Sequence, residues 1–207
     1  MMQPPGWDGV AFTDCSDGDI RNDSGARRAV ANRLGVARQW AEVRQVHGSE
    51  VRRVASPGVA GEADALWTDE PGLPLSVFTA DCFGVVLAAT GAVGVAHAGW
   101  RGAASGVVIR LREEMSDGGH PPERAAVGPG IGPCCFEVEV EVARRFPDQV
   151  SETCWGTASV DLPGFVVGQL DGLEVWSSGR CTMHEEAWFS HRGSGTTNRL
   201  ATIGWLP

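Results

Sequence analysis

The stretch TADCFGVVLAATGAVGVAHAGWRG, Thr79 to Gly102, constrains this chain more than any other. Its cleanest apolar run, Phe83 to Ala96, falls well short of the ~20 residues a helix needs to cross a bilayer. Thr90 and Gly91 break it in the middle, and Asp81 and His97 close it. Two buried strands around a tight turn fit this pattern, Phe83 to Ala89 and Ala92 to Ala96. The reactive side chains stand at the ends of the run. Asp81 and Cys82 are at its head, and His97, Trp100 and Arg101 at its tail.

The rest of the chain supplies more strands than helices. Residues 1 to 23 are polar and rich in Asp and Gly, and irregular edge structure is expected there. SGARRAVANRLG predicts a helix with Ser24 as N-cap, a stripe of Ala26, Ala29, Val30 and Leu34, and Gly35 as its stop. WAEVRQVHGSEVRRV has the look of a β-hairpin turning at His47-Gly48-Ser49. A strand is expected from Leu73 to Phe78, and a helix from Gly102 to Met115. Val138, Val140 and Val142 read equally as strand or helix. LPGFVVGQLDG predicts a short helix, LEVW a strand, HEEAWFS a helical turn or two, and RLATIGWL a final strand. Strands and helices do not alternate one for one. The reading is therefore α+β with a mixed sheet, one domain over residues 1–207.

Composition removes several chemistries. All 17 basic residues are arginine and there is no tyrosine, so Schiff-base lysines, the P-loop lysine and phenol-based mechanisms are excluded. The net charge of −9 argues against a surface that grips phosphate backbones, so no nucleic-acid partner is expected. No membrane partner is expected either. The opening residues have neither a basic start nor an apolar core, and Cys134 and Cys135 are adjacent. The six cysteines are expected as free or metal-bound thiols in a reducing, cytoplasmic setting.

Three soft or borderline ligands lie beside strand ends in this reading: His47, Cys82 and His97. Two imidazoles and a thiolate leave one coordination position free, the pattern of a catalytic zinc. The same set also suits a single copper. Asp81 is expected to accept a hydrogen bond from a ligand imidazole. A second chemistry uses the same atoms, with Cys82 as nucleophile and His97 as its base. Arg101, at the start of a predicted helix, is a candidate anion-binding residue. GPGIGPCCFE is a rigid loop without the ending of a P-loop, and its Cys134 and Cys135 lack a CxxC partner.

The words RQVHG, ADALWTD, TADC, HAGWRG, GPGIGPCCFEV and FSHRGSGTTNRLATIGW occur in one order from Arg44 to Leu206. In this the chain resembles the YfiH-type family, also called laccase-domain or polyphenol oxidase proteins. The resemblance implies a mixed β-sandwich flanked by helices, with metal ligands at His47, Cys82 and His97. It implies a purine nucleoside phosphorylase using zinc, or else copper, that takes adenosine, inosine or methylthioadenosine with phosphate and also deaminates adenosine. Arg101 and Asp81 would then contact substrate. Phe83 or Trp100 would stack on the base. A likeness to Cys-His toxin deamidases implies the alternative of an amide hydrolase, acting on cell-wall precursors. A four-copper oxidase centre needs more imidazoles than five histidines supply. FSHR puts His191 where many members carry tyrosine.

Overall fold

A computed structural model of the chain describes residues 1–207. The chain runs through β1 (Val10–Phe12), α1 (Ser24–Leu34), β2 (Ala41–Arg44), β3 (Val51–Arg53), β4 (Gly58–Glu62), β5 (Ala65–Thr68) and β6 (Leu75–Thr79). The apolar run forms β7 (Phe83–Ala89) and β8 (Ala92–Ala98), followed by α2 (Trp100–Ala104) and α3 (Val107–Asp117). Next come β9 (Arg124–Val127), α4 (Val140–Ala143), β10 (Val150–Glu152), β11 (Ala158–Val160) and α5 (Leu162–Gly168). The last elements are β12 (Glu174–Ser177), α6 (His191–Ser194) and β13 (Leu200–Gly204).

Two mixed sheets result, a five-stranded one ordered β1-β13-β6-β2-β4 and a six-stranded one ordered β12-β9-β7-β8-β5-β3. The alternation of side chains along a strand sorts the core into layers. Val86, Val93 and Val95 of the larger sheet meet Leu75, Val77 and Val10 of the smaller one. Val85, Leu87 and Ala96 face the other way, onto Val107, Leu111 and Met115 of α3. On the far side of the smaller sheet, Ala201, Ile203 and Phe78 pack on Val30 and Ala31 of α1. The architecture is thus α+β, two stacked sheets with helices outside each. No helix is long and apolar enough to cross a membrane.

This layering explains why both strands of the run are apolar: β7 and β8 are covered on both faces, and the chain meets solvent at the Thr90-Gly91 turn between them. It also explains two glycines. A Cβ on Gly84 would lie 1.8 Å from Thr202 Oγ1, and one on Gly94 would lie 2.8 Å from Met115 Sδ and 2.9 Å from Leu111 Cδ1. Both strands give up side chains so that the neighbouring layers can close on them.

Several local expectations change. The first residues are not all irregular, because Val10–Phe12 is fully buried and pairs antiparallel with β13. Asp23, not Ser24, caps α1 by accepting from the Gly25 and Ala26 N–H groups. Ala31 is buried on that helix and Ala29 is exposed. The expected hairpin does not form. β2 pairs in parallel with β4 and β6, whereas β3 pairs with β5 in the other sheet. The helix after Gly99 is broken in two at Gly106, whose φ of 77° is left-handed. Val140–Ala143 is one helical turn, and the helix near the C-terminus falls at His191–Ser194 instead of on HEEAWFS.

Candidate metal centre and its cavity

The chain crosses from the smaller sheet to the larger one twice near this centre. The first crossing, β2 to β3, carries His47. The second, β6 to β7, carries Cys82. His97 sits on β8, where it pairs with Gly84. The ligand atoms of His47, Cys82 and His97 all lie within 4.8 Å of one another. Ligands around a tetrahedral zinc are separated by roughly 3.3–3.8 Å, so a small inward closure suffices. The two imidazole rings meet edge to face with centroids 4.8 Å apart.

Asp64 builds this corner. Its side chain is fully buried just before β5, and it was not among the residues expected from the sequence. Its carboxylate accepts from the backbone N–H groups of Val46 (3.1 Å), His47 (2.9 Å) and Gly48 (2.6 Å). Those bonds hold His47 at a φ of 61°, left-handed backbone that a non-glycine residue adopts only when its surroundings hold it there. The same carboxylate faces His97 Nδ1 at 2.8 Å, which leaves Nε2 as the nitrogen free to ligate. The Asp64 main chain contributes as well, its carbonyl accepting from the His97 N–H at 2.7 Å.

Asp81 is not the partner of a ligand imidazole. Its carboxylate accepts from Thr182 Oγ1 at 2.8 Å and from the Arg192 N–H at 2.6 Å, and its carbonyl accepts from the Ile131 N–H at 2.7 Å. With a φ of 91° it forms a strained bend immediately before Cys82. Its polar atoms are spent on holding that bend. Gly99 leaves room behind the trio, for a Cβ there would stand 2.8 Å from Cys82 Sγ and 3.2 Å from His47 Cδ2.

The protonation states follow from these contacts. Burial resists ionisation of Cys82, but hydrogen bonding to His47 and His97 and their charge bring its thiol down to about 6. Burial also works against a charged His97, yet Asp64 and the Cys82 thiolate raise it to about 9. Asp64 is likewise held below the usual carboxylate range, because its bonds to His97 and to the backbone N–H groups outweigh its burial. These shifts favour a thiolate beside an imidazolium when no metal is bound. A divalent ion would take the place of that proton, so the donor set fits a metal.

The trio opens into a cavity of about 600 Å³, a size common for small-molecule sites. Its apolar wall includes Phe78, Ile131 and Phe136, and its charged wall Arg21, Arg44, Arg192 and Arg199 with Glu42 and Asp81. Burial and the nearby Arg21 charge hold Arg199 below the usual guanidinium range. Two cations facing one space favour an anion between them. Arg192 is braced by donating to the Glu137 carbonyl at 2.8 Å.

Arg101 lies elsewhere. It is exposed, its guanidinium sits 4.2 Å from the ring centroid of Trp100, and it is absent from the cavity wall. Phe83 and Trp100 do not line this cavity either. Phe83 is core, packed against Gly130. His191 does line it. His120 contacts the Thr90 carbonyl at 3.0 Å, and His184 is exposed.

Comparison with known proteins shows the lineage of the chain. Residues 8–207 match the family model described as multi-copper polyphenol oxidoreductase laccase. A protein of Deinococcus radiodurans named purine nucleoside phosphorylase is 37% identical over 212 residues, covering 96% of this chain and 83% of that protein. A purine nucleoside phosphorylase of Streptomyces griseus is 43% identical over 177 residues, 78% of this chain and 72% of its own. The crystal structure of YlmD from Geobacillus stearothermophilus superposes with a TM-score of 0.81 at 32% identity, covering 91% of this chain and 82% of that one. The chain therefore belongs to the laccase-type, YfiH-like family whose words run from its QVHG to its NRLATIGW.

Proposed function

We propose that this protein is a zinc-dependent purine nucleoside phosphorylase acting on adenosine, inosine and methylthioadenosine, with adenosine deamination as a side activity, and that it works in the cytoplasm. The observation that carries this reading is the meeting of a His-Cys-His trio, an arginine pair and an aromatic wall around one cavity. The names of the relatives support the reaction class.

His47, Cys82 and His97 would hold the zinc, which when bound supplies Lewis-acid polarisation of a substrate oxygen. Arg21 and Arg199 bind inorganic phosphate by charge-assisted hydrogen bonds and hold it for attack on the ribose C1′. The sugar becomes cationic in the transition state, and phosphate fixed beside it stabilises that charge. Phe136 and Phe78 offer flat apolar surface to the purine. Asp81 fixes the bend that aims Cys82, and Asp64 keeps both histidines in place. Deamination uses the same base site, with water adding at the purine C6 and the 6-amino group leaving as ammonia.

The test is adenosine plus phosphate, with and without a chelator, alongside metal analysis of the purified protein. Ribose 1-phosphate and adenine that disappear on chelation and return with zinc are expected. Return with copper alone, accompanied by phenol oxidation, would replace this reading by a single-copper oxidase.

One observation favours a second reading. Cys82 beside His97, with the Asp64 carboxylate 2.8 Å from His97 Nδ1, has the makeup of a cysteine-hydrolase triad. Amide cleavage that survives chelation and stops on thiol alkylation would establish it.

A further inference from the structure

A second cluster of thiols lies behind the cavity wall. Cys134 and Cys135 follow the GPGIGP loop, and Cys181 stands beside that loop through a parallel bridge to Gly130. The sulfur atoms of these three residues all lie within 4.8 Å of one another. All are free thiols. The Cys134 and Cys135 sulfurs are 3.5 Å apart. That is far too long for a disulfide of roughly 2.05 Å. It is close to the roughly 3.8 Å that separates two sulfurs bound to one tetrahedral zinc at about 2.3 Å each. The Gly132 N–H already donates to Cys181 Sγ at 3.2 Å, as it would to a metal-bound thiolate. Cys134, Cys181 and Gly132 also line a cleft of about 180 Å³, which gives an ion a way in.

We propose that the convergence of Cys134, Cys135 and Cys181 is a second metal site, a trithiolate that takes a soft closed-shell cation, Zn(II) or Cu(I). Three thiols packed this closely cannot all ionise beside one another unless a cation compensates them. Thiolate sulfur selects soft ions. Binding is simple exchange: the thiols give their protons to solvent as metal–sulfur bonds form, and nothing is oxidised or reduced.

The site has a structural consequence for the cavity. Ile131 and Phe136 of this loop line the main cavity, while Cys134, between them, lines the second cleft. Thr182, next to Cys181, holds Asp81. An ion on the trithiolate would fasten this loop to the segment that positions the Cys82 bend.

Metal content of the full-length protein, loaded with zinc in reductant and desalted, tests the proposal. A second equivalent per chain is expected. It should be lost in Cys134→Ser/Cys181→Ser and kept in Cys82→Ser/His97→Ala, which loses the other equivalent. A wild-type protein that holds one equivalent after zinc loading and after Cu(I) loading alike, retained in the Cys134→Ser/Cys181→Ser variant, overturns it. Alkylation of the wild-type protein needs no variant to fold. Zinc should protect Cys134, Cys135 and Cys181 from iodoacetamide at least tenfold while exposed Cys154 labels freely, and a chelator should abolish the protection. Equal labelling of the three with and without zinc, and with and without Cu(I), also overturns it. Protection by Cu(I) alone identifies the ion as copper. The outcome is independent of phosphorolysis, which reads the other centre.

Discussion

The Asp64 carboxylate lies 2.8 Å from Nδ1 of His97, and one of its oxygens also receives the backbone N–H of His47. A single buried acid therefore sets the ring of one candidate ligand and the main-chain shape of another. Asp64→Asn keeps a carbonyl acceptor but loses the charge, and metal affinity should fall about 10- to 100-fold. Asp64→Ala leaves a buried imidazole and three N–H groups unpartnered, and should cost about 3–5 kcal/mol of stability. Competition with a chromophoric chelator and thermal denaturation read the two effects separately.

Gly99→Ala tests the clearance behind the trio. The new methyl would press on Cys82 Sγ and the His47 ring, so the fold should persist while the metal is lost. Near-wild-type unfolding of the chelated variant, with at least tenfold weaker zinc binding, is the expected result. Undiminished binding would mean that the ligands stand farther from Gly99 than described.

The metal-free protein should show its thiolate by reactivity. With Cys82 titrating at about 6 instead of the ordinary 9.0, its alkylation rate should stay level from pH 9 to 7. Below about pH 6 it should fall about tenfold per pH unit, as the thiolate takes up a proton. His97, charged up to about pH 9, must lose its proton when metal binds. Zinc binding near neutral pH should expel about one proton from this pair, measurable by calorimetry in buffers of different ionisation enthalpy.

Arg199→Ala and Arg21→Ala should each raise the KM for phosphate about 10- to 100-fold, the loss of a charge-assisted hydrogen bond worth about 1.5–3 kcal/mol. Arg101→Ala should leave phosphate kinetics within twofold, since its guanidinium is engaged on Trp100 outside the cavity. Steady-state kinetics with phosphate varied at saturating adenosine checks both.

What could be read in advance divides along physical lines. The β7–β8 pair was legible because burial on both faces leaves a continuous apolar run with a turn in it. That His47, Cys82 and His97 meet was foreshadowed by three soft side chains flanking expected strands, although the supposed hairpin around His47 was not a hairpin. Alternating valines look alike whether a strand pairs with its neighbour in sequence or with a distant one, so local pattern does not name the partner. Arg101 was chosen on helix-start logic, which takes no account of the indole beside it. Arg21 and Arg199 join one cavity only through the tertiary fold, and no short-range signal links them. Asp64 did leave a trace: a single acid between Ala63 and Ala65, at the mouth of a buried strand, has little room to face water.

The position of His47 and Cys82 on the two crossings between sheets has a consequence for assembly. His47 and Cys82 are each tethered to both sheets, so their approach to His97 requires that the sheets have docked face to face. A tightly held ion would act as a rivet through that seam. Its uptake during refolding would time the moment when the two sheets come together.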